Sequence, residues 1–194
     1  MSYYTGTQAE VLFSNGFAYP AANAASAAAQ SLITGASGKF QQAVFPGGFF
    51  QQSRTGQVVS VDYLVSISGQ ASATTAILTA GLSTIPNDIS SAKTLAASSA
   101  ITVTSFTSAA FSGRLLISNF GSGYGTSSVA TNLQSSMNLI YTNGATTGVN
   151  AVGPTALQTV DFSVNQWLYF SVTFSTSSGT NSATLQQIIV RGEN

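Results

Sequence analysis

Few side chains in this chain can do chemistry. Its only side-chain carboxylates are Glu10, Asp62, Asp88, Asp161 and Glu193, widely separated in sequence. A glycosidase needs two carboxylates roughly 5 to 10 Å apart, and folding would have to bring Asp62 and Asp161 together to make such a pair. Both fall on the polar side of an alternating strand, which reads as solvated or interface carboxylates. Asp88, in IPNDIS, reads as a turn residue bonding locally after Pro86. Calcium needs several clustered oxygens, and no acidic cluster exists in the sequence. Histidine and cysteine are absent, which removes the usual zinc ligands, the Ser-His-Asp and Cys-His constellations, and thiol chemistry. No catalytic residue, cofactor or metal is therefore expected.

Two further stretches invite a binding reading. FGSGYGTSS (120–128) is glycine-rich, but a phosphate cradle needs a preceding strand, a following helix and a lysine. The sequence after it starts no amphipathic helix, so a plain loop is favoured. Trp167, Tyr124, Tyr141 and Tyr169 would suit a flat platform for sugar, although large aromatics in a sandwich more often fill a core or a subunit interface.

The elements that must position these residues have a period of two. In QVVSVDYLVSI, Val59, Val61, Tyr63, Val65 and Ile67 share one face, opposite Ser60, Asp62 and Ser66, the pattern of a half-buried strand. WLYFSVTFS and VDFSV alternate in the same way. TTAILTAGL, AITVTSF, RLLISNF, SMNLIYT and ATLQQIIV are further strand candidates. Between them lie turn clusters such as STIPNDISSAK, GSGYGTSS, TNGATTGVNAVGP and STSSGTN. Eight or nine strands without a convincing long helix predict an all-β, antiparallel sandwich or barrel over residues 41–194.

Residues 1–40 differ. Aromatic residues give way to the Ala/Ser-rich run AANAASAAAQSLITGASGKF, and either a short helix over about 21–33 or an extended arm docked on a neighbour fits that composition. The join is VFPGGFFQQSRTGQVV. Its Pro46-Gly47-Gly48 corner feeds the first strands, and Phe49 and Phe50 would point in opposite directions if extended, one into the core and one toward a neighbour.

Among 194 residues only 5% are charged and the formal net charge is zero, so nucleic acid and anionic membranes are not expected as partners. No stretch reaches the ~18 apolar residues of a membrane helix, and MSYYTGTQAE lacks the basic start and apolar run of a signal peptide. Assembly in a host cytoplasm is expected. So little charge provides little colloidal repulsion, which points to a surface covered in an oligomer.

The Ala/Ser-rich leader, the segment FPGGFFQQSRTGQVVSVDYLVSISGQ and the low-charge strands ending in QWLYFSVTFSTSSGTNSATLQQIIV together resemble small structural proteins of tailed-bacteriophage virions. The motif-level match is Pro46 to Phe50, Arg54 to Gly56 and Val59 to Val61. The resemblance implies a jelly-roll-like antiparallel β-sandwich, a non-enzymatic capsid decoration or short head-fibre protein that is a homotrimer located in the virion. Its arm would dock on a major capsid protein or another virion protein. The attachment and interface residues would then be Tyr3, Tyr4, Phe13, Phe17, Tyr19 and Arg54. The alternative is a receptor- or carbohydrate-binding domain at a tail tip, with loop residues Tyr124 and Tyr141 on a host-surface glycan.

Overall fold

The computed structural model describes residues 10–15, 22–23, 28–33, 42–50, 56–86, 88–121, 130–143 and 146–193. They form the strands β1 (Glu10–Asn15), β2 (Ala22–Asn23), β3 (Gln30–Ser31), β4 (Val44–Phe45), β5 (Val58–Ser68), β6 (Thr75–Ser83) and β7 (Lys93–Ala97). These are followed by β8 (Ile101–Thr102), β9 (Ala109–Asn119), β10 (Ala130–Asn143), β11 (Thr146–Val152), β12 (Gln158–Asp161), β13 (Gln166–Phe174) and β14 (Ser182–Glu193). Every pairing among them is antiparallel.

The first sheet runs β1-β14-β5-β9-β10-β11, with β12 also on β10 and β2 also on β14; the second runs β3-β13-β6-β7, with β4 also on β13 and β8 also on β6. The chain crosses between sheets at both ends of the domain. The first long strand, β5, pairs with the last, β14, while β6 pairs with the penultimate β13. Pairing of outermost with outermost is the jelly-roll feature of this all-β sandwich.

The core lies between the sheets and follows the alternation. β5 contributes Val59, Val61, Tyr63, Val65 and Ile67, and β13 answers with Leu168, Phe170, Val172 and Phe174, all buried. Tyr63 and Phe170 meet across the sheets with ring centroids 5.0 Å apart. In β14 the inward positions change phase: Leu185 and Ile188 are both buried although three residues apart, because the register against β5 shifts between Leu185 and Gln187. The extra residue, Gln186, is a bulge that lets Ile188 and Val190 return to the core face.

Several expectations are revised by the packing. Where a helix over 21–33 was one reading, Ala22–Asn23 pairs with β14 and Gln30–Ser31 with β13, and Leu32 and Ile33 are buried in the core. Alanine's helix preference yields here to open ladder positions and to the burial that Leu32 and Ile33 gain. The described parts of the leader are thus strands of the sandwich. TNGATTGVNAVGP, grouped with the turns, holds the seven-residue β11. Nor are Phe49 and Phe50 extended: the Phe49 amide donates to the Pro46 carbonyl (3.0 Å) and Gly48 has φ 81°. That turn directs both rings toward their own domain, where Phe50 is buried and Phe49 is partly buried against the core. The two meet edge to face at 4.9 Å, beside Phe45 and Phe162.

Candidate functional site

The outward face of the first sheet carries the charged side chains that the alternation set aside. Asp62 on β5 lies directly opposite Arg114 on β9, and Arg191 on β14 is diagonal to it, opposite Ser60. Arg114 donates from Nε to Asp62 Oδ1 (2.6 Å) and from Nη2 to Oδ2 (3.3 Å), and Arg191 Nη1 also donates to Oδ2. Partial burial pushes the Asp62 carboxyl up, but the hydrogen bonds and positive charge of the two arginines outweigh it and hold the group below its ordinary value. Arg114 is pushed up by its bond to Asp62 and by that charge, with Glu193 adding to the attraction. One carboxylate thus occupies two guanidiniums.

Toward β10 and β11 the same face is neutral, while Glu193 lies two residues beyond Arg191 on β14. Asn138 accepts the Arg114 amide through Oδ1 (3.1 Å), Gln186 donates to Ser66 (3.1 Å), and Ser112, Ala110 and Thr142 continue the rungs. At the β10–β11 margin, Ile140 and Val149 are direct partners, 49% and 71% exposed. The result is a broad, nearly uncharged surface with an apolar edge.

A second feature lies at one end of the sandwich, where β6 and β7 of one sheet meet β12 of the other. There a cleft of about 210 Å³ is lined by Leu82, Lys93, Thr159, Val160, Asp161 and Gln166, among others. Leu82 and Val160 are buried and form its apolar floor. Gln166, also buried, is fixed by donation from Nε2 to the Asp161 carbonyl. The Asp161 carboxylate accepts the Ser163 amide (2.8 Å), and this bond, with one from the Ser163 hydroxyl, holds its pKa below the ordinary value. Lys93, on the opposite rim, forms no ion pair with a described residue.

The Asp62–Asp161 pair that a glycosidase would need does not form. Through the ladder Asp62 aligns with Arg114 and then Asn138, whereas Asp161 aligns with Ala130. The eight residues between those two points of β10 span roughly 27 Å at about 3.4 Å each, far beyond the ~5 to 10 Å of a glycosidase pair. Asp88 is a turn residue, accepting from the amide and hydroxyl of Ser90 (2.8 and 2.7 Å).

Of the residues assigned to attachment, Phe13 lies on β1 and is partly buried against the core of its own sandwich, flanked by the exposed Val11 and Leu12. Tyr3, Tyr4, Phe17, Tyr19 and Arg54 lie outside the described residues, as does Tyr124. Tyr141 belongs to β10, not a loop, and its ring stacks on Phe111 with centroids 5.1 Å apart and planes 16° apart. Tyr169 is buried over Gly81, with its hydroxyl near Thr94 (3.4 Å). Arg114, Arg191 and Lys93 escaped the sequence reading. Parity places Arg114 and Asp62 on polar faces, but only strand order makes them neighbours.

Among the described residues no group of three or more His, Cys, Asp or Glu could hold a metal, and no helix is long and apolar enough to cross a membrane. No protein-family model matches the chain, and no curated protein sequence does. Among solved structures it is similar to the CBM2 module of the evolved Dit of Lactobacillus casei BL23 phage J-1, at 9% sequence identity and a TM-score of 0.23. The match covers 69% of this chain and 61% of that one, so this chain spans under two thirds of its neighbour's length.

Proposed function

We propose that this protein is a non-enzymatic structural component of a tailed-phage virion, a capsid decoration or short head-fibre protein that works as a homotrimer fixed to a shell protein. The observation that carries the reading is the outward face of the first sheet. The carboxylate at its centre is bonded by two arginines, and the rungs from there across β10 and β11 are neutral, with the exposed Ile140–Val149 pair at the margin. Interface cores are depleted in charge relative to the remaining surface. A sheet face this low in charge meets that condition, and its central arginines already hold a carboxylate partner.

Attachment falls to the β1 edge and the leader around it. Val11 and Leu12 are exposed there, 56% and 38%, while Phe13 anchors the strand to its own core. Contacts of this neutral kind are little screened by salt. Removing residues 1–35 wholesale would take Leu32 and Ile33 out of the core, so attachment is better probed by substitutions such as Tyr3→Ala and Tyr4→Ala in the full chain.

Light scattering on the purified chain is expected to give three times its 19.8 kDa mass, unchanged when salt is raised to about 1 M, where the Debye length is only ~3 Å. Antibody labelling is expected to find the protein on phage particles. A monodisperse monomer at high concentration, or particles that lack the chain, would overturn the reading.

A further inference from the structure

We infer that the cleft between β6–β7 and β12 is a binding site for one ring of a neutral saccharide. Its volume, about 210 Å³, lies below the roughly 300–1,000 Å³ of pockets for drug-sized ligands, so its occupant is a single ring rather than a chain. The lining mixes carbon with polar atoms, which suits a pyranose: over the buried Leu82 and Val160, its C–H face meets the exposed carbons of Lys93, Thr84 and Thr159 while its hydroxyl edge meets the polar groups of the rim.

The rim chemistry narrows the choice. A sugar hydroxyl both donates and accepts. Lys93 supplies only donors and Asp161 only acceptors, and they come from opposite sheets, so the cleft offers one of each to neighbouring hydroxyls. A sugar carboxylate would pair with Lys93 and a sugar ammonium with Asp161, but each would then share the cleft with the like charge on the other rim, whereas a neutral ring meets both without that penalty. The site is also preorganised. Asp161 is held by the Ser163 amide, Thr159 donates from Oγ1 to Asn132 Oδ1 (2.9 Å), and the buried Gln166 is tied to the Asp161 backbone. Binding there would not have to order these three groups.

Thr159 and Asp161 lie at the β12 end of the first sheet, roughly 27 Å along β10 from the Asp62 trio at about 3.4 Å per residue, so the site does not depend on the assembly reading. A trimer that binds no sugar, or a monomer that does, would separate the two.

The test is saturation-transfer difference NMR on the full chain with glucose, galactose, mannose and N-acetylglucosamine, and with glucuronate and glucosamine as charged comparators. At least one neutral sugar is expected to show ring-proton signals that fall about tenfold with Lys93→Met and with Asp161→Ala and persist with Arg114→Met. A tenfold loss corresponds to ~1.4 kcal/mol. Lys93→Met alone keeps the test decisive if Asp161→Ala misfolds, because no described residue forms an ion pair with Lys93. The inference is overturned if no neutral sugar gives a signal, if only the charged sugars do, or if the signal survives Lys93→Met.

Discussion

Asp62 is the residue on which the outward face turns. It is partly buried, its side chain 29% exposed, and the arginines that bond it would face each other unscreened without it. Asp62→Asn is expected to cost about 1 kcal/mol near neutral pH, the upper end for exposed pairs, since two arginines converge on one group. The pH dependence has a definite sign. The folded pKa of Asp62 is lowered, so its contribution is complete above the unfolded value of about 3.9 and disappears as pH falls through the lower folded value. Urea denaturation of wild type and variant should differ at pH 7 and converge in strong acid; a gap that persists there would refute the account. Asp88 and Asp161 are also lowered, but they titrate in both proteins and cancel in the comparison. A second residue-scale pattern sits inside the domain. Tyr63 lies opposite Gly113, Tyr141 opposite Gly148 and Tyr169 opposite Gly81, and a Cβ at each glycine would collide with the facing ring. Glycine at these positions makes room for an aromatic ring folded across the neighbouring strand. Gly148→Ala is therefore expected to cost about 1–3 kcal/mol through overpacking, and less in a Tyr141→Leu background, a coupling that thermal melts of the four-member cycle would read.

At the scale of the element, β14 depends on one residue. The Gln186 bulge changes the phase of the strand so that Ile188 and Val190 face the core and Arg191 reaches Asp62. A one-residue slip in a strand exchanges its two faces. Deleting Gln186 is thus expected to turn Ile188 and Val190 toward solvent and break the Arg191 bond, giving a chain that melts far below wild type or fails to fold. Circular dichroism melts would settle this; a variant as stable as wild type would show that the bulge carries no register information. Because β14 lies between β5 and β1, the damage should extend to the β1 edge proposed for attachment.

The molecule as a whole is distinguished by how little charge it carries, 5% of its residues. Ten charged side chains of opposite sign cancel over the sequence, and at the centre of one sheet face two arginines share a single carboxylate. Placing a charge at the margin of that face should be tolerated by the fold and harmful to assembly. Ile140→Asp and Val149→Asp, both at exposed positions, are expected to lower the mass measured in solution from trimer to monomer while leaving the melting temperature within a few degrees. A trimer that tolerates both would locate the subunit contact on another face.

The sequence by itself determined the fold class, the long strands and which of their side chains face inward. Alternation at QVVSVDYLVSI or WLYFSVTFS records burial on one side of a sheet, a local property that does not depend on the partner strand. It also determined what chemistry is missing, since an absent histidine or cysteine needs no coordinates. The arrangement between strands was decided only in the tertiary structure. β11 was read as a turn because Gly148 and sparse apolar residues hide a strand whose stability comes from β10. The leader's alanines suggested helix, yet Gln30–Ser31 pairs with β13 and Leu32 and Ile33 complete the core. Asp62 meets Arg114 and Arg191, and Lys93 faces a cleft with Asp161, because ladders join residues far apart in the chain. The identity of a neighbour across a ladder follows from strand order and register, which are set by how two whole sheets bury one another.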